Sequence, residues 1–520
     1  MKPGDVMIRI ESTCEATTPQ ISARVINIAQ QFGIPPFFSR NQVLDALNLV
    51  FQPGRIVLFS GPSGSGKSTA LRLIAAQLPG GHAVDRIHLA SGRAVVDAIA
   101  PGESLPKALE ILAACGLSEA PLWLRSPDDL SDGQHFRARL ARAVSLHART
   151  RSGVPLICDE FCSGLHRRLA HAIAYNLRKL ATRHRLTLVL AACDDDFLDD
   201  LQPDVLVRLR GNGRHECHYL TPMNRSISFR DRLAIEPGLK ADYESFASMH
   251  YRTTDELGFV DKVFILRDTR AGDLLGIVVY SHGPLELSLR NVATDNRFRR
   301  NPGRLNREVR ILRRLVIHPD VRGCGLGHYL VEKTMPLVGA RFIECLAGMG
   351  ETNPVFERAG MKRIGTCPMP PGRAALLDEF NRLGVDPFAR DFVLQVARRP
   401  RVRRIVAALV YQWYQATTAG GERRVARQSP EFLANTFRGL VGSRPVYFLW
   451  ENPRFRRNRR TKAVADDRPK KPRARSLRSA KDPGAVPRGG AAKRARGIRR
   501  ETPSRKKIPA TPGDGPARVK

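Results

Sequence analysis

GPSGSGKST, at residues 61–69, is a complete phosphate-binding loop of the pattern G-x-x-x-x-G-K-S. The apolar run Ile56–Phe59 precedes it and predicts a buried strand, while Ala70–Ala76 follows it as the start of a helix. Its glycines let the backbone fold around a phosphate, so that N–H groups and the helix N-terminus face the anion. The stretch therefore predicts an α/β nucleotide-binding domain.

Each position of this loop has an expected role. Lys67 reaches the β- and γ-phosphates, and the Ser68 hydroxyl ligates Mg²⁺. The other predicted nucleotide-binding positions are Gly61, Ser63, Gly64, Ser65, Gly66 and Thr69. The loop by itself indicates binding of ATP or GTP.

Composition indicates a soluble protein of two or three domains, since 520 residues with 42% hydrophobic content can form several cores. The sequence has no run of 18 apolar residues, and its start lacks an apolar signal core. The nine cysteines are an odd number without a CxxC pair, which favours a reducing compartment and argues against a zinc site. We therefore expect a cytoplasmic protein with no membrane segment of its own.

Positive charge is concentrated at the end of the chain. Residues 453–520 hold 24 basic and 5 acidic residues, so they carry +19 of the net charge of +35. With almost no large apolar residues, this segment cannot form a core and is predicted to be a disordered basic tail. Such a tail favours a polyanionic partner, most often nucleic acid, and the alternative is a solubilising or targeting tail.

Changes in pattern along the chain divide it into five segments. Apolar strands alternate with amphipathic helices in the first of them, and a second α/β block begins after a linker. The predicted segments are a nucleotide-binding domain at 1–215, a linker at 216–238, a second domain at 239–370, a mostly helical extension at 371–452 and the basic tail at 453–520.

Two further motifs specify the kind of nucleotide-binding domain. LSDGQ, at residues 130–134, precedes a basic and apolar helix, and the apolar stretch Val154–Cys158 ends in Asp159 and Glu160. In this order, the motifs resemble the signature and Walker B sequences of the ABC-type ATPase family over about residues 40–210. LSDGQ alone is also compatible with an ordinary helix N-cap.

The resemblance implies a set of functional residues and a mode of assembly. Asp159 would hold Mg²⁺ and Glu160 would act as the general base for the attacking water. In the family, signature residues contact ATP bound to a second subunit, which implies that Ser131, Gly133 and Gln134 complete an ATP-dependent homodimer. Phe37 or Phe38 would stack on adenine, although a core position is the simpler interpretation.

Three departures from the family pattern bear on hydrolysis. Cys193 stands where relatives carry a histidine, and His166 lies in the segment Ser163–His166, where the family has SALD. No glutamine occurs between Gln77 and Gln134, so the usual glutamine loop is absent. These departures indicate slow hydrolysis and weaken a transporter interpretation, since that loop couples transporters to their membrane partner.

A second glycine-rich loop lies in the other α/β block. Arg322-Gly323-Cys324-Gly325-Leu326-Gly327 follows the apolar run Ile311–Pro319 and precedes the helical stretch His328–Leu337. It resembles the acyl-CoA loop of GNAT-family acyltransferases, and Asn353–Met361 resembles that family's closing segment. The resemblance implies an α+β GNAT-like domain that binds acetyl-CoA, or another acyl-CoA, through Arg322, Gly323, Gly325, Leu326 and Gly327.

Acid–base groups for such a reaction are not evident. Phe356 occupies the position where GNAT enzymes often carry a proton-donating tyrosine. Glu308, His318 and Tyr251 are alternatives, each also explicable as structural. His250-Tyr251 is reminiscent of phage GNAT-like enzymes that modify DNA bases.

Together these features predict an ABC-type ATPase fused to a GNAT-like N-acyltransferase, as in a family of prokaryotic fusion proteins. Its substrate would be nucleic acid or a molecule associated with it. Two alternatives belong to other classes: the ATPase subunit of an ABC transporter, and a non-catalytic ATP-gated nucleic-acid clamp.

Overall fold

The structure is a computed structural model, and it describes residues 6–14, 20–33, 41–78, 80–150, 155–223, 226–250, 257–368, 371–417, 425, 428–442 and 444–455. Three predicted features fall outside these ranges: Phe37 and Phe38, Tyr251, and the basic tail beyond residue 455. Among the described residues, no helix combines the length and apolar character needed to cross a bilayer.

The first domain is built on a six-stranded sheet whose central strands are buried on both faces. Its order is β4-β5-β6-β3-β7-β8, and all neighbours pair in parallel except β7 and β8. All five residues of β3 (Ile56–Ser60) are buried. Ile56 and Leu58 pack with the helices on one face, and Val57 and Phe59 pack on the other, as the two-residue period of a strand requires.

The sheet and its helices follow the alternation predicted from the sequence. The elements are β1 (Val6–Cys14), α1 (Ala23–Phe32), β2 (Asn41–Phe51), β3 (Ile56–Ser60), α2 (Lys67–Gln77), β4 (His82–Ala83), α3 (Val95–Ile99), α4 (Leu105–Ala114), α5 (Ala120–Trp123), α6 (Asp132–Thr150), β5 (Leu156–Cys158), α7 (Arg167–His184), β6 (Leu188–Ala192), α8 (Leu198–Leu201), β7 (Val205–Gly211) and β8 (Arg214–Tyr219). The antiparallel pair β1–β2 forms a separate small sheet that covers the second face.

The first domain continues past its predicted end. Residues 212–213, just before the predicted domain end at residue 215, form the turn of the β7–β8 hairpin, and residues 216–219 of the predicted linker belong to β8. Asn212 and Gly213 have φ of 49° and 79°, the left-handed geometry that a tight hairpin turn favours. The Asn-Gly pair was therefore a hairpin signal within the sequence.

The second domain is a seven-stranded sheet of order β14-β15-β13-β12-β11-β10-β9. Its elements are β9 (Leu233–Gly238), α9 (Glu244–Ala247), β10 (Val260–Asp268), β11 (Leu274–Ser281), α10 (Ser288–Ala293), α11 (Pro302–Glu308), β12 (Val309–Ile317), α12 (Leu326–Val338), β13 (Phe342–Ala347), α13 (Val355–Arg358), β14 (Lys362–Thr366), α14 (Pro371–Arg382), α15 (Phe392–Arg398), α16 (Pro400–Thr417), α17 (Pro430–Gly442) and β15 (Val446–Glu451). The edge strand β9 takes residues 233–238 from the predicted linker.

Strands β12 and β13 are the parallel pair of this sheet, and they diverge. Their pairing covers Val309–Ile311 on β12 and Phe342–Glu344 on β13. Beyond it, β12 continues to Ile317 against β11, and β13 continues to Ala347 against β15. The loop that leads into α12 therefore starts at the open end of this divergence.

The predicted helical extension at 371–452 is an insertion in the second domain. Its last strand, β15, enters the sheet between β13 and β14, because its apolar run finds partners on both sides there. Helices α14 to α17 pack on a core of their own. In that core the rings of Phe380, Phe392 and Phe437 lie 5.1–5.9 Å apart, centroid to centroid.

A buried ion pair joins α10 to the centre of the second sheet. Arg290 donates from Nε and Nη2 to the two carboxylate oxygens of Glu344, at 2.8 and 2.5 Å, and the Tyr447 hydroxyl donates to Glu344 at 2.9 Å. The side chains of Arg290 and Glu344 are 1% and 0% exposed. Burial raises the pKa of Tyr447, and the adjacent carboxylate adds to the shift, so its hydroxyl stays a donor.

We predict that Glu344→Ala lowers the free energy of unfolding of the second domain by about 3–5 kcal/mol, because it leaves a buried guanidinium without its carboxylate. The readout is deuterium exchange of the β13 and β15 amides. Glu332→Ala, at an exposed ion pair with Lys333, is the control and should change stability by less than about 0.5 kcal/mol. The double variant Arg290→Met/Glu344→Leu should lose less than Glu344→Ala; an equal or greater loss would contradict this account.

Candidate functional site

The phosphate-binding loop joins β3 to α2 at the carboxyl edge of the first sheet. Gly61 has a φ of 154°, and a Cβ added to it would lie 2.4 Å from the carbonyl oxygen of Leu209 in β7. Gly66 has a φ of 101°, and a Cβ there would lie 3.0 Å from the carbonyl oxygen of Val43 in β2. Both positions therefore require glycine, because the backbones of neighbouring strands press against the loop.

The polar side chains of the loop have the arrangement that a phosphate needs. Lys67 donates from Nζ to the carbonyl oxygens of Gly61 and Pro62, at 2.7 and 2.8 Å, which curls the loop around the ammonium group. The Ser65 hydroxyl is buried and has no hydrogen-bond partner among the described residues. Ser68, in the first turn of α2, is exposed. An anion bound here would meet an unpaired hydroxyl, a lysine and the free N–H groups of a helix start.

Strand β5 brings two carboxylates to the same edge of the sheet. Asp159 follows it directly and is half-buried, and its Oδ1 accepts a hydrogen bond from the Glu160 N–H at 3.0 Å. Glu160 is exposed and has a φ of 49°, which is uncommon for a residue with a side chain. Phe161 N–H donates to the Ala191 carbonyl at 2.7 Å, so this sharp turn is fixed against β6. Strained turns of this kind concentrate at functional sites.

Strand β6 lies between β5 and β3, and its end completes the edge. Cys193, at the position of the family histidine, is exposed there. Asp195, two residues on, accepts hydrogen bonds from Ser60 at 3.4 Å and Arg208 at 3.3 Å, and so connects the ends of β6, β3 and β7. Asp195 is not among the residues predicted from the sequence, although the run Asp194–Asp196 after an apolar strand was a signal for it.

The described residues contain no group of three or more histidine, cysteine or acidic side chains placed to hold a metal. A site made of the Ser68 hydroxyl and one carboxylate still fits Mg²⁺, which keeps several waters and takes the rest of its ligands from substrate phosphates.

The LSDGQ motif opens α6. Ser131 N–H donates to the side-chain oxygen of Gln134 at 3.1 Å, which is half of a capping box and shows that the helix-cap interpretation also applies. Ser131 itself is exposed, as a contact with a second subunit would require. Arg137, one turn further on, donates to the carbonyls of Gly133 at 3.0 Å and Gly116 at 2.6 Å. His166 is exposed at the start of α7.

The second glycine-rich loop joins β12 to α12, as predicted. Arg322 is already engaged: it donates to the carbonyls of Ile317, Ser118 and Met249, at 2.8, 2.6 and 2.9 Å. Leu326 is buried, and a Cβ added to Gly327 would lie 3.1 Å from Val355, so close helix packing accounts for these two residues. Gly323 and Gly325 both have a φ of 85°.

The alternative acid–base groups of the second domain have structural partners. Burial opposes the shift, but hydrogen bonds from Arg297 and Arg304 lower the pKa of Glu308 and keep it ionised. Burial lowers the pKa of His318. Phe356 is buried against Phe448, with ring centroids 5.4 Å apart.

Comparison with known proteins shows what the first domain is similar to. Residues 44–104 match the family model described as ABC transporter. The sulfate/thiosulfate import ATP-binding protein CysA 1 of Shewanella oneidensis is 30% identical over a 226-residue alignment, and the match covers 37% of this chain and 57% of that protein. The putative 2-aminoethylphosphonate import ATP-binding protein PhnT of Salmonella choleraesuis is 33% identical over 227 residues, 36% of this chain and 59% of that protein.

The dimeric MJ0796 cassette of a bacterial ABC transporter covers 34% of this chain and 91% of its own length, at 20% identity and a TM-score of 0.27. The chain spans less than two thirds of the length of the curated relatives it matches. The family model and these relatives support an ABC-type ATPase domain in the first part of the chain, where the sequence predicts the P-loop.

We predict that a maleimide reagent modifies Cys193 in the native protein before Cys115, Cys158 or Cys324. Cys193 is exposed, whereas burial raises the pKa of Cys115 and Cys324 to about 12 and that of Cys158 further, which suppresses the reactive thiolate. Peptide mass spectrometry with time measures each site.

Saturating MgATP should slow modification of Cys193, since the phosphates would lie at the same edge of the sheet. The half-exposed Cys217 and Cys367 provide internal controls whose rates should not change. Modification of Cys193 as slow as that of Cys158 would show that the edge is closed.

Proposed function

We propose that this chain is an ABC-type ATPase that binds ATP at the 61–69 loop and hydrolyses it slowly. ATP binding would close two subunits into a dimer, and this closure would control the second domain. The observation that carries the proposal is the arrangement of side chains at the carboxyl edge of the first sheet. The glycine-rich loop at the end of β3 carries an unpaired Ser65 hydroxyl and folds around the ammonium group of Lys67. Asp159 and Glu160 lie at the end of β5.

Each residue has a definite task in this mechanism. The backbone N–H groups of Gly64 to Thr69 receive the phosphates, with Lys67 moving from its loop carbonyls to the β- and γ-phosphates. Mg²⁺ would be held by Ser68 and, through water, by Asp159, and it would neutralise charge on the phosphates. Glu160 takes the proton of the attacking water as the bond to the γ-phosphate forms and the bond to ADP breaks. A cysteine thiol is a weaker hydrogen-bond donor than a histidine N–H. Cys193, at the position of the family histidine, therefore supports slow turnover.

The active form is a homodimer. Exposed Ser131 and half-buried Gly133 at the start of α6 would contact the ATP held by the partner subunit. The MJ0796 cassette, to which part of this chain is similar, is dimeric as well.

A second candidate is the ATP-binding subunit of an importer. The curated relatives favour it, since they are import ATP-binding proteins by name. The missing glutamine between Gln77 and Gln134 opposes it. Stable co-purification with a membrane protein would decide in its favour.

The third candidate keeps an acyltransferase activity in the second domain, with acetyl-CoA as donor and nucleic acid, or a molecule bound to it, as acceptor. It is supported by the glycine loop between β12 and α12, at the divergence of β12 from β13, and by the net charge of +35. A non-catalytic ATP-gated nucleic-acid clamp remains its alternative, and turnover measured with and without DNA or RNA separates the two.

We predict that Lys67→Ala abolishes ATP binding, whereas Glu160→Gln preserves binding and lowers the rate of hydrolysis by about 10²–10⁴-fold, the usual contribution of a general base. Calorimetry measures the first and phosphate release the second. Lys333→Ala, an exposed lysine on α12, is the control for Lys67→Ala and should bind ATP as the wild type does.

Unchanged ATP affinity in Lys67→Ala would overturn the assignment of the first site. Unchanged hydrolysis in Glu160→Gln would remove Glu160 from the reaction and leave binding intact.

For the acyltransferase candidate, wild-type protein with saturating MgATP should bind acetyl-CoA in a calorimeter, and Arg322→Glu should abolish that binding by placing a negative charge beside the loop. Arg363→Glu, a half-exposed position on β14, is the matched control. Absence of binding by the wild type, with and without MgATP, eliminates this candidate.

A further inference from the structure

Residues 295–308, which run from just after α10 to the end of α11, are rich in arginine. They hold five arginines, two acidic residues and no lysine. Arg299, Arg300 and Arg307 are exposed, and none of the three forms an ion pair with an acidic side chain of the described residues. These three side chains are called the arginine surface below. Its positive charge faces solvent without compensation from the fold.

The arginine surface is supported from beneath. Phe298 and Leu305 are buried in one small core, where they pack with residues of β13 and β15. Glu308 accepts hydrogen bonds from Arg297 at 2.9 Å and from Arg304 at 3.0 Å. The other two arginines of the segment therefore hold its shape. A surface that is ordered before a partner arrives loses less conformational entropy on binding.

The backbone of the segment is strained at one of the exposed arginines. Asp295, Asn296 and Arg300 have φ of 49°, 56° and 55°, in the left-handed region. Aspartate and asparagine are enriched in this region, whereas a long side chain is uncommon there. Strain that the fold maintains concentrates at functional sites. Arginine at position 300, where asparagine or glycine would be more stable, therefore indicates that its guanidinium group contacts a partner.

The arginine surface lies at the edge of the second sheet where β12 and β13 begin and β15 ends. Val309, the residue after α11, pairs with Phe342, and Phe342 pairs with Glu451. The described residues end at Phe455, shortly after β15. Residues 453–520 hold 24 basic and 5 acidic residues. The basic end of the sequence is therefore attached at the same edge as the arginine surface.

This edge is remote from the first domain. Strand β12 begins beside the arginine surface and ends at Ile317, about 26 Å further along the strand. The chain then contacts the first domain, where Ser118 donates to the Pro319 carbonyl at 2.9 Å. The arginine surface thus lies at the opposite end of β12 from that contact.

We propose that the arginine surface binds the phosphate backbone of nucleic acid. A guanidinium group can donate two parallel hydrogen bonds to a phosphate and is more weakly hydrated than an ammonium group. Three exposed asparagines, Asn296, Asn301 and Asn306, lie among the arginines, and amides also donate to phosphate and sugar oxygens. Such contacts do not read the bases, so binding is expected without sequence preference. This proposal goes beyond the ATPase assignment and does not rest on it.

The composition of the segment favours nucleic acid over an anionic membrane. Segments that lie on membranes expose Trp, Phe or Leu side chains that enter the acyl boundary. Within residues 295–308 the large apolar side chains are those of Phe298 and Leu305, and both are buried. A bilayer would gain only electrostatic attraction here.

Fluorescence anisotropy on the full-length protein tests the proposal, with a labelled DNA duplex, an RNA duplex and single strands at several salt concentrations. The triple variant Arg299→Gln/Arg300→Asn/Arg307→Gln should bind duplex DNA about 10²-fold more weakly than the wild type near physiological salt. The slope of log K against log salt should become less steep by about 2–3, because each lost phosphate contact contributes about 0.9.

Two controls accompany the triple variant. Asparagine suits the left-handed backbone at position 300, so the triple variant should melt at no lower temperature than the wild type and should bind ATP as the wild type does. The matched control, Arg9→Gln/Arg210→Gln/Arg363→Gln, removes three exposed arginines elsewhere and makes the same change in net charge. Its loss of affinity should be much smaller.

Deuterium exchange on the wild-type protein gives a readout that needs no variant. Amides of residues 295–308 should exchange more slowly when the DNA duplex is added. Unchanged exchange there, under conditions in which the DNA is bound, would overturn the proposal.

The remaining outcomes are equally distinct. Binding to DNA, RNA or both, with a large loss in the triple variant alone, supports the proposal and identifies the nucleic acid. Equal affinities and salt slopes for the triple variant and the matched control would overturn it, and so would a lack of binding by the wild type. Vesicles with and without phosphatidylserine form the last arm. Vesicle binding that requires these arginines, with nucleic-acid binding unchanged in the triple variant, would show that the partner is a membrane. Failure of the wild type to bind ATP would remove the ATPase assignment and leave this proposal standing.

Discussion

The parallel pairing of β3, β6 and β5 is the constraint on which the ATP site depends. Its register places Ser60 beside Ala192 and Cys158 beside Leu190, so the chain leaves all three strands at one edge. This register alone brings together the phosphate-binding loop, Cys193 and the two carboxylates. Hydrogen bonds between these groups are not required. A slip of one residue in any strand would turn its side chains to the opposite face, where the close-packed core is not shaped to receive them. The site is therefore a product of the core beneath it.

Contacts of residues 318–325 with the first domain follow a different rule. Lysine, arginine, asparagine and serine side chains donate across the boundary there, and the acceptors are backbone carbonyls of residues 118, 319, 322 and 323. Such acceptors depend on the path of the loop and are indifferent to most side chains on it. This explains why glycine matters at position 323, since a Cβ there would lie 2.7 Å from the Asn176 side chain of the opposing domain. The linker reinforces the contact, because Ser228 donates twice to the buried carboxylate of Asp200.

The features that could be predicted from the sequence are those set by residues adjacent in the chain. The loop at 61–69, the strand before it and the helix after it were predictable because phosphate binding demands particular residues at adjacent positions. Asn212-Gly213 was an equally local signal, and the predicted domain boundary after residue 215 cut through its hairpin. The contacts of residues 318–325 could not be predicted from the sequence. Their partners lie about 150–200 residues earlier in the chain, and the acceptors are backbone atoms, which have no sequence signal. The pair Arg290–Glu344 was hidden for a related reason: nothing near either residue indicates burial of a charge.

The position of β15 has a consequence for synthesis on the ribosome. The first domain is complete once residue 219 has emerged, and its sheet can form while translation continues. The second sheet cannot close at that stage, because β14 pairs only with β15 among the described strands, and roughly eighty residues of helical insertion separate the two. Until β15 arrives, β13 presents an unpaired apolar edge of the kind that aggregates. Slow closure of this long-range strand would make the second domain the one that needs protection by chaperones.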